Sequence, residues 1–185
     1  MKKEFCRLSA MGMVSALGDS HAEILKRLLD EVPSSLSEGP KLLNERKFGV
    51  RNVELPLAQI PQDLKHYRCR NNELALTAFK QIEEHVAALL ESHGDFRMGV
   101  VMGTSTSGML STEQALAFRK ENGHFPQEFD YAQHEMNGLA DFIAAYSGIT
   151  GPAYTISTAC SSSAKVFASA RALLAMELCD AVVVG

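Results

Sequence analysis

The chain has 185 residues, enough for one domain with a sizeable core, and its 46% apolar and 22% charged residues are the balance of an ordinary globular protein. A net charge of −4 provides no basic field to attract nucleic acid or an anionic membrane. No apolar run approaches the length of a membrane span.

The first twenty residues, MKKEFCRLSAMGMVSALGDS, are interrupted by Arg7, Ser9 and Gly12 and make a poor secretion signal. Residues 5–14 mix β-formers with small residues and read as a first strand, followed by a turn at 15–18. Asp19 or Ser20 then caps a short helix over 21–29, with Ile24, Leu25, Leu28 and Leu29 at helical spacing. Residues 30–61 are rich in Pro, Ser, Gly and charge and read as a connection, with a short strand near 48–50. Leu74, Ala75, Ala78, Phe79, Ile82, Val86, Leu89 and Leu90 keep a 3.6-residue period, which predicts one long helix over 71–92 that Gly94 ends.

RMGVVMG at 97–103 is the short apolar run of a buried parallel strand. The loop GTSTSG at 103–108 leads into a helix reaching about Lys120, and 123–130 is irregular. A helix over 135–147 stops at Gly148, a strand follows at 154–157, then a helix over 161–178 and a last strand at 181–184. Strands alternating with helices predict an α/β domain around a mostly parallel sheet, with the loops 103–108 and 157–161 at strand carboxyl ends, where ligands bind.

The four cysteines (Cys6, Cys69, Cys160 and Cys179) form no CxxC pair and no Cys/His metal spacing. A reduced, cytoplasmic protein with neither metal nor cofactor is therefore expected. Cys6 and Cys179 read as core residues at a strand and a helix end, and Cys69 as exposed or partly packed. Cys160 differs, because it stands where a strand turns into a helix. The free N–H groups and positive dipole end of a helix stabilise a thiolate, and the small neighbours Thr158, Ala159 and the serines 161–163 let another group approach. Val166, Phe167, Ala170, Leu173, Leu174 and Met176 would pack that helix inward. The residues alone leave two readings open, a nucleophile and a buried structural thiol. A serine-hydrolase elbow is excluded, since no GxSxG occurs.

The stretch GPAYTISTACSSSAKVF at 151–167 resembles the active-site signature of the β-ketoacyl-[acyl carrier protein] synthases of the thiolase-like superfamily. LSAMGMVSALG at 8–18, VVMGTSTSGM at 100–109 and the segment 171–185 ending DAVVVG resemble further landmarks of that family in the same order. The resemblance implies a three-layer thiolase-like half-domain and a decarboxylative Claisen condensation, with an acyl chain carried on Cys160 and attacked by the carbanion of malonyl-[acyl carrier protein]. It implies that the Cys160 N–H is one oxyanion donor. Thr106 falls where the family lines its acyl pocket, although a simple Ser/Thr-rich turn remains an alternative. Lys65, Arg68 and Arg70, with His66, lie where family members dock an acidic acyl carrier protein, although a solvated helix entry would look the same. The family also pairs the strand before the nucleophile across a homodimer.

Departures from the family matter too. Its decarboxylation step uses two histidines and a lysine from the second half of the fold. His21, His66, His85, His93, His124 and His134 match none of those positions and read as surface or loop residues. Glu177 stands where the family often has glycine. The whole chain, 1–185, thus reads as the amino-terminal half of a fatty acid or polyketide-type synthase, truncated before its carboxy-terminal half and inactive in condensation alone. A non-catalytic half-domain that binds or dimerises is the alternative.

Overall fold

The computed structural model describes residues 6–30, 37–38 and 49–185, with backbone alone at 37–38. The centre is β3, Met98–Gly103, hydrogen-bonded in parallel on one side to β4, Ala153–Ile156, and on the other to β5, Ala181–Val184. Val100 stands opposite both Ala153 and Val183. Successive side chains of a strand point to opposite faces. Met98, Val100 and Met102 therefore face a layer formed by α2 (Arg70–Phe79), α3 (Glu83–His93) and α5 (Gly138–Ser147), whose Leu76, Phe79, Val86, Phe142 and Ile143 complete the larger core. Val101 faces the opposite way onto α6, Ser162–Ala175, where Val166, Leu173 and Cys179 form the smaller core. The result is a three-layer α/β unit around a parallel sheet, as expected.

Arg97 and Asp180 lock the amino ends of β3 and β5. Arg97 donates Nε and Nη2 to the two Asp180 carboxylate oxygens at 2.8 and 2.6 Å, and the Asp180 N–H donates back to the Arg97 carbonyl at 2.8 Å. Arg97 Nη1 also donates to the Glu177 carbonyl at 2.6 Å, joining the end of α6 to the same lock. Here α6 closes in a Schellman arrangement: Leu178 N–H donates to Leu173 O and Glu177 N–H to Leu174 O, at 3.0 and 3.1 Å. Glu177 holds the left-handed position at φ +56°, where glycine is favoured.

Several expected boundaries shift, for physical reasons. Residues 6–14 form no strand ladder, and the first described contact of that kind is a single bridge from Ser15 to Gly18. The segment lies on α2 instead, where the Gln81 amide brackets the Met13 backbone, accepting from its N–H at 3.1 Å and donating to its carbonyl at 2.9 Å. Gly12 permits this approach, because a Cβ there would lie 2.0 Å from the Ala78 carbonyl oxygen. Between the segment and β5 runs an apolar groove of about 790 Å³, reaching Leu74, Met102, Phe167 and Val184.

The long helix expected over 71–92 is two helices. Gln81 and Ile82 switch to i−3 hydrogen bonds to Ala78 and Phe79, and Ile82 leaves helical geometry at φ −119°, ψ 4°. Neither proline nor glycine marks that break. α1, His21–Leu29, starts at Ser20, whose hydroxyl accepts from Glu23 N–H. Its Ile24 is buried, while Leu25, Leu28 and Leu29 are exposed. The short strand near 48–50 is β2, Gly49–Val50, paired antiparallel with β1, Ser37–Glu38; Phe48 lies outside the described residues, as does Phe5 of the expected first strand. α4, Met109–Asn122, follows the 103–108 loop. α5 begins three residues later than expected, because Asn137, the residue before it, turns its side chain to β4 and accepts from the Thr155 N–H at 2.8 Å. Phe167 and Met176 of the last helical segment are exposed, contrary to the inward packing expected of them.

Two stability measurements follow. Replacing Glu177 by glycine removes a left-handed strain of about 1 kcal/mol, partly offset by the freer unfolded chain, so E177G is expected to stabilise by about 0.5 kcal/mol and to raise the thermal midpoint slightly. Hydrogen bonding from Arg97, with the Arg97 and His93 charges adding, holds the Asp180 carboxyl below the usual carboxylate range. A depressed folded-state value means that this contribution is present above the unfolded carboxylate range, about pH 4, and is lost as pH falls through the folded value. D180N should therefore lower the denaturation midpoint at neutral pH, and its deficit relative to the unmodified chain should shrink in acid scans below about pH 4.

Candidate active site

Two loops leave the carboxyl end of the sheet side by side. β3 and β4 end in register at Gly103 and Ile156, and Thr104 N–H continues the ladder to Ile156 O at 3.3 Å. One loop carries Thr106 and the other Cys160, so the parallel pairing brings these two sequence-identified residues to the same end of the sheet. The Thr106 loop is braced internally. Thr104 Oγ1 accepts from Ser107 N–H at 3.0 Å, and Ser107, at φ +45°, donates its hydroxyl to Glu135 O at 2.9 Å. Thr106 itself is exposed, and its carbonyl accepts from Met109 N–H at the start of α4.

Cys160 occupies a tight turn between β4 and α6. The preceding Ala159 adopts φ +52°, a left-handed conformation that a residue with a Cβ takes up only under constraint. Ser161, the residue before α6, donates both N–H and hydroxyl to Thr158 O, at 3.3 and 2.9 Å. Cys160 is exposed, and its N–H meets no acceptor among the described residues. On the far side of the strand pair, α6 is anchored by a hydrogen bond between the Tyr154 and Ser169 hydroxyls. An accessible thiol thus sits at the entry to a 14-residue helix, on a short turn between strand and helix.

The other thiols occupy different surroundings. Cys69 is buried at the start of α2 rather than exposed or partly packed, and burial pushes its thiol up. Cys179 is buried between β5 and α6 and is likewise raised by burial, with Arg97 opposing. Cys6, expected in a core, is exposed because the segment around it forms no strand. The expected basic cluster divides. Lys65 is exposed on a 3-10 helix, Gln62–Tyr67; Arg68 lies 3.6 Å from Glu73; and Arg70 donates to Val53 O at 2.7 Å. Arg68 and Arg70 line an open groove of about 610 Å³ with Leu110, Phe118 and Phe129, which Lys65 does not line.

None of the six histidines stands on either loop. His85 pairs with Ser9 and His134 with Thr112, His66 stacks on Tyr67, His93 lies 3.8 Å from Asp180, His124 contacts Phe125 O, and His21 opens α1. Among the described residues no group of three or more His, Cys, Asp or Glu could hold a metal ion. The sequence reading missed the hydroxyls that build the Cys160 turn and the Asn137–Thr155 bond. A run of serines at a helix start is the one signal that could have pointed to the former.

Exposure and position separate the thiols. Limiting iodoacetamide at pH 7, followed by peptide mass spectrometry, should label Cys160 first, with Cys6 as the exposed comparator and Cys69 and Cys179 protected until unfolding. Earlier labelling of any other cysteine would remove Cys160 from consideration as the reactive thiol.

Comparison with known proteins extends this geometry. A family model described as "Beta-ketoacyl synthase, N-terminal domain" matches residues 59–185. The ketosynthase ApeO of Xenorhabdus doucetiae, solved in complex with its chain length factor ApeC, superposes with a TM-score of 0.88 at 35% identity, over 96% of this chain and 45% of that one. A β-ketoacyl synthase from Burkholderia phymatum shares the fold, with a TM-score of 0.65 at 22% identity over 91% of this chain and 43% of its own. No curated protein matches the sequence. This chain therefore spans less than half the length of the solved ketosynthases it resembles. With a family match over more than half its residues, the chain belongs to the β-ketoacyl synthase family and carries the amino-terminal domain of that family.

Proposed function

We propose that Cys160 is the acyl-accepting nucleophile of a condensing enzyme to which this chain contributes the amino-terminal half. The observation that carries the reading is the exposed thiol on a strained strand–turn–helix junction, inside the matched ketosynthase domain. In the proposed reaction the thiol loses its proton and the sulfur attacks the carbonyl carbon of an acyl thioester. The carrier's sulfur departs and takes up a proton, leaving the acyl group on Cys160. A malonyl thioester then loses carbon dioxide, and its carbanion attacks the same carbonyl carbon. The bond to Cys160 breaks, the thiol regains a proton, and a 3-oxoacyl thioester leaves. The unpaired Cys160 N–H is available to the oxyanion in both acyl-transfer steps.

Thr106, on the adjoining loop, is proposed to line the acyl pocket. Lys65, Arg68 and Arg70 are proposed to steer an acidic acyl carrier protein, with the apolar floor of the Arg68–Arg70 groove adding contact area. The groups that drive decarboxylation are proposed to come from a carboxy-terminal half, consistent with the placement of all six histidines away from both loops. Pairing with a second copy or a related chain is the proposed assembly. It is supported by the open edge of β4 and by the exposed Met109, Leu110, Leu116 and Phe118 of α4. Four free cysteines support a cytoplasmic setting. The same exposed apolar surface favours a second reading, a half-domain whose role is binding.

Acyl transfer separates the two readings. Incubated with an acyl-[acyl carrier protein], the unmodified chain is expected to gain one acyl mass on the Cys160 peptide, and C160A none. Charge reversal at Lys65, Arg68 and Arg70 together should slow transfer from the carrier by about tenfold at low salt, while leaving transfer from a small acyl thioester unchanged. Residues 1–185 alone should form no 3-oxoacyl product from malonyl carrier. Absence of acylation at Cys160 under these conditions would leave the binding reading standing.

A further inference from the structure

We infer that Ser162 is the positioning residue of the nucleophile turn, its hydroxyl acting as a two-sided clip; the inference rests on the reading of Cys160 as nucleophile. Ser162 Oγ accepts from Thr158 N–H at 2.9 Å and donates to Ala159 O at 2.7 Å. The two bonds run in opposite senses across the turn, so one hydroxyl supplies both its proton and a lone pair to the residues that bracket Cys160. Ser162 N–H reinforces the second bond, donating to Ala159 O at 3.2 Å. Ser162 itself is only 3% exposed, so its hydroxyl has little access to water as an alternative partner. A serine at a helix start ordinarily caps the N–H groups ahead of it. This one reaches backwards, and the entry to α6 has no side-chain cap, since the hydroxyl of Ser161 before the helix bonds to Thr158 instead.

The clip is itself seated on the sheet. A Cβ at Gly103 would lie 2.9 Å from Ser162 C and from Ser163 N. Because glycine ends β3, the first turn of α6 rests directly on that strand and fixes the Ser162 backbone. Position therefore passes from β3 through Ser162 to Thr158 and Ala159, and from them to the thiol. The left-handed Ala159 is the residue that would relax without this restraint, turning Cys160 away from the helix entry. The Ser161 hydroxyl bonds only to Thr158, and the Ser163 hydroxyl makes no bond among the described residues, so neither duplicates the clip.

The test measures iodoacetamide rates at Cys160 and Cys6 in the unmodified chain, S162A and S163A, together with amide exchange at Thr158. S162A is expected to slow Cys160 by about fivefold at unchanged Cys6 rate, and S163A to leave the ratio of the two intact. Thr158 N–H is expected to be protected by about tenfold in the unmodified chain despite lying in an exposed residue, and unprotected in S162A. A purely structural serine would lower the melting temperature of S162A without moving the Cys160:Cys6 ratio, and that result overturns the inference. Exchange of the Thr158 amide at the free-peptide rate in the unmodified chain also overturns it, whether or not S162A folds. Failure of the nucleophile reading is distinct: Cys160 would then react no faster than Cys6 in the unmodified chain, while the Thr158 amide would still decide the clip.

Discussion

Everything at the candidate site depends on one strand being buried on both faces. Among the described residues β3 is the only strand of its sheet with neighbours on both sides, and its alternate side chains are divided between two cores. Each fully buried Val or Met side chain contributes about 1.5–3 kcal/mol, so a six-residue apolar run with no exposed face strongly specifies its own place. The parallel register on either side then aligns the ends of β3 and β4. That alignment sets the Thr106 and Cys160 loops next to each other at the carboxyl end of the sheet, although 54 residues separate them in sequence.

The same strand governs the turn. Gly103 ends it without a Cβ, and α6 settles into the space. Burial of Val166 and Leu173 holds the helix down, the Tyr154–Ser169 bond anchors it to β4, and the Schellman end with the Arg97–Asp180 lock fixes its far terminus. A helix so constrained at both ends can impose a strained conformation on the residue before the thiol. Strain of this kind persists only where the surroundings over-determine it, and here they do so from the sheet, the helix and the serine hydroxyls together.

The edges are less complete. An apolar groove lies beside β5 and a mixed polar and apolar one under Arg68 and Arg70, and α4 buries little beyond Ala115. The solved ketosynthases that share the fold are more than twice as long, and one of them stands in complex with a chain length factor.

The sequence by itself determined the central elements, because their signals are local. An apolar run bounded by glycine makes β3, a helix with Val166, Ala170 and Leu173 on one face makes α6, and the junction between a strand and that helix marks Cys160. The signature around Cys160 carried the family. Tertiary structure alone decided whatever depends on a partner distant in sequence. The period of residues 74–90 runs unbroken through Ile82, yet the helix breaks there, and the neighbouring Gln81 gives its amide to Met13, 68 residues away. β-formers at 6–14 make no strand, since the edge groups that would pair with them lie across a groove. Nothing local to Arg70 signals its bond to the Val53 carbonyl, and Cys69, expected to be exposed or partly packed, is enclosed. Local pattern records which face of an element is apolar; it carries no record of which distant backbone group a polar side chain will satisfy, and that choice ties Gln81 to Met13, Arg70 to Val53 and Asn137 to Thr155.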